Sequence, residues 1–291
     1  MSEFVRIIDP SGKTLRNDLY NSPPDPASYI IFKDGGLVKA KNGRTGQIEF
    51  SDPDAAKVIR SAADAIPNGG RIVFKPGIYL INSMIETDSK AVLFEGESIS
   101  YKEGYGVSAI LRANATMDYV MKINGQWTSL EKLVIDGNHK ASGVYLGGLD
   151  NYVFRCFVLR TSLYGIWLAG VFNQWVEDCW IEWNPIGVQA TENSKIIGNH
   201  FVENDQSISI SSRPDVWIIN NLFRNPVTRS INLWGTPSSN VIIAFNIFEC
   251  DKDSRSEFMF FSSNKQLEYV KIMGNIVNGG GLTDYFINVG S

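Results

Sequence analysis

NYVFRCFVLRTSLYGIWLAG at residues 151–170 is followed by NQWVEDCWIEWNPIGVQATE (173–192), NSKIIGNHFVENDQSISISS (193–212), DVWIINNLFRNPVTRSINLWG (215–235) and SNVIIAFNIFECDKDSRSEFMFFSS (239–263). All share one pattern: a strand, a small polar residue at a bend, a second short strand, a loop and a third strand. The bend is filled by Cys156, Cys179, Asn199, Asn221, Asn246 and Asn275, at steps of 23, 20, 22, 25 and 29 residues. The extra length falls in the loop. A period of this size with three short strands predicts the coils of an all-β solenoid.

Stacking explains the bend residues. Coils about 4.8 Å apart place like residue on like residue, so successive asparagines can bond to one another and to the turn backbone. An unpaired buried amide costs a few kcal/mol, so a ladder of scaffold amides is expected. Alternation points Ile166/Leu168, Val188/Ala190, Ile208/Ile210, Ile231/Leu233 and Met259/Phe261 into the core. Cys156 and Cys179 stack on adjacent coils, within Cα reach of a disulfide, though a reduced thiol pair is the simpler expectation.

Working outward, Asp52 reads as a helix N-cap, with Pro53 at the first helical position. Ala55, Ala56, Ile59, Ala62, Ala63 and Ile66 follow at helical spacing, and Pro67-Asn68-Gly69-Gly70 ends the run, giving a helix over about 53–66. Before it, YIIFKDGGLVKAK and NGRTGQIEF read as strands broken by Asp-Gly-Gly and Asn-Gly turns. Residues 1–28, ending in the proline-rich NSPPDPAS, are expected to form an attachment segment and linker, with the solenoid over 29–291.

Composition narrows the partners. The 291 residues are 44% hydrophobic and 20% charged, with net charge −4. Such a chain is globular and lacks the basic field that holds nucleic acid. No stretch has membrane-span length, and MSEFVRIIDPSGK has no signal-peptide core. The last strand, YFINVGS, shows no cap, so either further chain of a longer protein or a homo-oligomer, such as a trimer, is expected to cover it.

The stretch DAAKVIRSAADAIPNGGRIVFKPGIYLI (54–81), with its helix, Gly69-Gly70 and Pro76-Gly77-Ile78-Tyr79 turn, resembles the N-terminal signature of the pectate lyase superfamily. So does Phe94-Glu95-Gly96-Glu97 as the first coil's strand and glycine turn. The resemblance extends over about 50–290. It implies a right-handed single-stranded parallel β-helix of three sheets, with the helix as its N-terminal cap. It also implies a polysaccharide or oligosaccharide partner and an extracellular or virion-associated setting. That superfamily holds hydrolases, lyases and epimerases as well as non-catalytic binders such as parts of tailspikes, so two functions stand: a polysaccharide-degrading enzyme, or a receptor-binding module.

The polygalacturonase strings Asn-Thr-Asp, Asp-Asp, Gly-His-Gly and Arg-Ile-Lys do not occur as the family places them; Thr191-Glu192-Asn193 and Ser211-Ser212-Arg213 are the nearest look-alikes. Of the two histidines, His139 lies on an earlier coil, and His200, beside the asparagine bend, reads as a surface or ladder residue rather than a catalytic one. The resemblance implies that ligands lie along the third strands, whose outward column reads Tyr145, Trp167, Gln189, Ser209, Asn232, Phe260 and Asn288. A neighbouring column carries Gly147, Ala169, Thr191, Ser211, Trp234, Ser262 and Gly290. Rings, amides and hydroxyls without charge suit neutral sugars, so Tyr145, Trp167, Gln189, Asn232, Trp234 and Phe260 are the expected substrate contacts. Charges gather at the rims, among them Asp136, Asp150, Glu192, Glu203, Asp205 and Asp251. Glu192 and Asp205 are the expected acid and base, with Arg213 binding substrate. Glu249-Cys250-Asp251-Lys252-Asp253 offers oxygens to calcium but lacks the glycine and regular spacing of a calcium loop, so no cofactor is expected.

Overall fold

The computed structural model describes residues 27–99, 108–170, 172–211, 215–234, 240–250, 257–262, 270–279 and 287–290. Three parallel sheets run the length of the molecule, and each coil contributes one strand to each sheet in turn. In the coil that contains Trp167, the strands are Tyr152–Phe154 in the first sheet, Phe157–Leu159 in the second and Tyr164–Leu168 in the third. The second and third sheets each hold nine strands. The first holds 12, because β1 (Tyr29–Asp34), β2 (Leu37–Asn42) and β3 (Ile48–Asp52) extend it as an antiparallel meander. This is the expected parallel β-helix.

The helix α1 (Ala55–Asp64) is the expected cap. Its Ala55, Ala56, Val58, Ile59, Ala62 and Ala63 are buried, and it packs on β2, β3 and the strands Gly77–Ile81 and Ile85–Thr87. Its N-cap is corrected by two residues. Asp54 accepts from the Ala56 amide at 3.1 Å, while Asp52 turns the chain one step earlier by accepting from the Asp54 amide at 2.8 Å. Pro53 therefore lies outside the helix. Residues 1–26 of the expected attachment segment lie outside the described residues.

The bend ladder forms as read. Asn246 donates its amide N–H and Nδ2 to Asn275 Oδ1 at 2.9 and 3.0 Å. Asn221 repeats this on Asn246, and Asn199 on Asn221. Each Nδ2 also reaches a main-chain carbonyl, that of Asn221 meeting Ile196 O at 2.9 Å. The Cys179 amide joins through Asn199 Oδ1, and above it the ladder passes to thiols, all free. A left-handed residue precedes each rung: Arg155, Asp178, Gly198, Asn220, Phe245 and Gly274. That conformation favours Gly, Asn and Asp, and explains the Asn-Asn and Gly-Asn pairs.

A second ladder, absent from the sequence reading, closes the bend between the second and third sheets. The Thr161 amide donates to Asn184 Oδ1 at 3.2 Å and the Asn184 amide to Asn204 Oδ1 at 3.0 Å. Inside, register stacks Ile166, Val188, Ile208, Ile231 and Met259, all fully buried. Phe201, Phe223 and Phe248 stack nearly parallel beside them, with centroids 5.0 and 4.8 Å apart. The result is a filled, rigid rod whose outward faces keep a fixed register.

Candidate functional site on the third sheet

Two close backbone approaches shape the third sheet before its outward face begins. A Cβ at Gly165 would meet the Gly187 carbonyl oxygen at 2.4 Å, and one at Gly187 would meet that of Ser207 at 2.6 Å. Glycine lets the chain enter this sheet tightly, and the outward side chains then fan across it. Register confirms the column Tyr145–Trp167–Gln189–Ser209–Asn232–Phe260–Asn288 and extends it backward through Lys122 to Glu86.

The face divides into three zones. At the capped end Lys122 Nζ pairs with Glu86 at 2.7 Å and stands 5.9 Å from the Tyr145 ring centroid, so a charged pair adjoins the uncharged column read from the sequence. In the middle, Tyr145 and Trp167 meet edge to face at 5.4 Å. Tyr119 and Tyr164 complete a four-ring cluster, 6.3 and 4.9 Å from Trp167. All four rings are half-buried and keep part of their surface open. Burial pushes the Tyr119 hydroxyl up to about 12, aided by Tyr164, Tyr145 and Asp118, so it stays a neutral donor.

Just beyond Trp167 three polar members of the column are covered. Gln189, Ser209 and Asn232 are 6%, 6% and 3% exposed, a correction to their reading as an open binding surface. Gln189 Nε2 donates to Ser211 Oγ at 3.0 Å and Asn232 Nδ2 to Gln206 Oε1 at 2.8 Å. Two buried atoms on this face have no protein partner, Trp167 Nε1 and Asn232 Oδ1. Each costs desolvation free energy as it stands. Register places Phe260 after Asn232 and Trp234 beside Ser211.

The expected catalytic groups are not brought together. Gln206 opposes Ile186, so Asp205 sits at the start of the third sheet while Glu192 lies beyond Ala190, at its far margin. The intervening strand of five residues spans about 16 Å. Glycosidase carboxyls work at roughly 5–9.5 Å, so the expected facing pair becomes two separate rim carboxylates. Arg213 and Asp251–Asp253 lie outside the described residues. Asp136 is not a solvated rim charge: it is fully buried, bonded by Arg112 and Arg160, each at 2.6 Å. Asp150 and Glu203 accept from the indoles of Trp127 and Trp183. His200 is exposed and its ring lies 5.2 Å from Trp180 on the second sheet, a surface place as read. Among the described residues no three His, Cys, Asp or Glu side chains converge to hold a metal ion.

Comparison with known proteins agrees with this architecture. The family model described as "Right handed beta helix region" matches residues 120–287. No curated protein sequence matches at a significant level. Among solved structures, the catalytic unit of an α-1,3-glucanase from Streptomyces thermodiastaticus superposes with a TM-score of 0.60 at 15% identity, covering 77% of this chain and 44% of that one. The A-module of a mannuronan C-5 epimerase from Azotobacter vinelandii gives 0.55 at 16% identity, over 80% and 74%. A double mutant of the tailspike protein of E. coli bacteriophage HK620 gives 0.54 at 11% identity, over 81% and 56%. The chain thus spans about half the length of the glucanase unit and of the tailspike. At these identities the likeness is one of fold.

Proposed function

The chain belongs to the right-handed β-helix family of the pectate lyase superfamily, and from that premise we propose that it binds a carbohydrate polymer along the outward face of its third sheet. The observation that carries the reading is the cluster of Tyr119, Tyr145, Tyr164 and Trp167, four half-open rings on one rigid face. Pyranose rings present apolar C–H faces that stack on aromatics, and their hydroxyls answer tyrosine hydroxyls and nearby amides. Rungs spaced about 4.8 Å apart suit a ligand that is itself a linear repeat. Solved structures of this fold include a glucanase and a mannuronan epimerase, which supports a polysaccharide as the ligand class.

Recognition, rather than hydrolysis by Glu192 and Asp205 as a facing pair, is the function proposed. The test is a panel of neutral and acidic polysaccharides, scored for binding by affinity electrophoresis, for new reducing ends and for the ultraviolet absorbance of an unsaturated uronate. Retarded migration in at least one gel is expected. No retardation by any polymer would overturn the proposal. Product in either chemical assay would add catalysis to binding and direct substitution first to Glu192, Asp205 and Arg213 singly.

A further inference from the structure

The first sheet also carries an outward column, Tyr152–Trp175–Lys195–Trp217–Ile242–Lys271, fixed by register. Beside it runs a turn column, Asn173, Asn193, Asp215 and Asn240, each two residues before its strand partner. The three asparagines are left-handed, with φ of 46, 51 and 48°, a conformation asparagine tolerates. The turn column and the stretch of the first column from Lys195 to Lys271 line a groove of about 400 Å³, within the range of small-ligand sites. From Lys195 to Lys271 it crosses three rung steps, roughly 14 Å.

The chemistry of this groove differs from that of the third sheet. Trp217 is 40% exposed and forms part of its wall. Lys195 Nζ lies 4.1 Å from the Trp175 ring centroid and 5.3 Å from that of Trp217, and Tyr152 stacks on Trp175 at 5.6 Å. Rings on both sides therefore hold the ammonium in place. Among the described residues neither Lys195 nor Lys271 has a carboxylate within salt-bridge distance. Burial lowers the Lys195 pKa, opposed only by the charge of Asp150, so this cation is incompletely compensated. Against two ammonium groups the lining offers one carboxylate, Asp215.

We propose that this groove is a second saccharide site, separate from the third sheet, and that it takes a hexuronate unit of an acidic glycan. The sugar face stacks on Trp217, its carboxylate meets Lys195 and Lys271, and its hydroxyls meet the turn asparagines. A neutral sugar leaves the two cations unanswered, and the aromatic wall gives a simple anion nothing to stack on.

The probes are tetragalacturonate and tetramannuronate, with cellotetraose as the uncharged control, titrated calorimetrically into the whole chain at low and moderate salt. At least one uronate is expected to bind, more weakly as salt rises, and cellotetraose to bind this groove less. Trp217→Ala and Lys195→Met are each expected to weaken uronate binding by about tenfold, with unchanged urea midpoints. The exposed Lys271→Gln is expected to act in the same direction without any folding risk. The proposal is overturned if neither uronate binds, if binding survives both Trp217→Ala and Lys271→Gln, or if Trp167→Ala abolishes it. The last result would assign the uronate to the third sheet.

Discussion

Replacing Asn221 by alanine tests whether the ladder holds the faces in register. Asn221 is 1% exposed. Its Oδ1 accepts from the Asn199 amide at 2.9 Å and Asn199 Nδ2 at 3.0 Å. Its Nδ2 donates to Ile196 O at 2.9 Å and Asn246 Oδ1 at 3.0 Å. Truncation orphans the buried Asn199 N–H, at about 1–3 kcal/mol, and removes three further bonds worth about 0.5–1.5 kcal/mol each, for a loss of about 2.5–7.5 kcal/mol. In a domain of this size that is a fall in melting temperature on the order of 10 °C. Asn275→Ala is the control: that residue is only half-buried, so water can replace part of what it accepts and donates, and about 1–2 kcal/mol is expected. Urea unfolding followed by circular dichroism and by tryptophan fluorescence reads both, and coincident curves establish that one transition is being compared. A loss under about 1 kcal/mol for Asn221→Ala, or equal losses at the two positions, would refute the reasoning.

Two further predictions concern ionisation. Burial alone would raise the Glu95 carboxyl, but hydrogen bonds from Lys132 and Arg71, at 2.8 and 2.7 Å, outweigh it and hold it below its usual 4.5. The stability this contributes is complete above the unfolded value and is lost as pH falls through the lower folded value. Glu95→Gln is therefore expected to lower the neutral-pH urea midpoint and flatten its decline below about pH 4.5; an unchanged acid limb would remove Glu95 from the account. Burial also pushes the Cys156 thiol up to about 12 and that of Cys179 well above its usual value. Neither is expected to react with an aromatic disulfide reagent until urea is added, and a prompt equivalent traced to either by mass spectrometry would contradict their place in the core.

The coils after residue 128 were legible because one side chain repeats at one bend. An asparagine that bonds to its own copy must recur in register, and that recurrence exposed the alternation of the third sheet. The same logic missed the second ladder because it is short and opens on a threonine rather than an asparagine, although Thr161, Asn184 and Asn204 recur at the same steps of 23 and 20 residues. It missed Tyr119 and Tyr164 because both stand where the chain enters the third sheet. There the glycine column breaks simple alternation, and the step from Tyr164 to Trp167 is three positions rather than two. The N-cap slipped because acidic residues flank Pro53 on both sides and either can cap. The carboxyl pair failed for a different reason. Sequence already placed Asp205 before the third strand and Glu192 after it, and left to the loops whether the two carboxyls meet across the sheet; the length of the intervening strand keeps them apart. The cover over Gln189 and Asn232 was unreadable in principle, since alternation tells which way a side chain points and not what lies over it.

The most direct test of carbohydrate recognition on the third sheet is a calorimetric titration of the best neutral oligosaccharide from the polysaccharide panel into the wild-type chain, Trp167→Ala and Trp217→Ala. Stacking on the four-ring cluster predicts that Trp167→Ala costs about 1–3 kcal/mol, roughly ten- to hundredfold in affinity, with an unchanged melting temperature. A ligand seated there is expected to bind Trp217→Ala like the wild type. Equal affinity for wild type and Trp167→Ala would contradict the account and leave the cluster as packing.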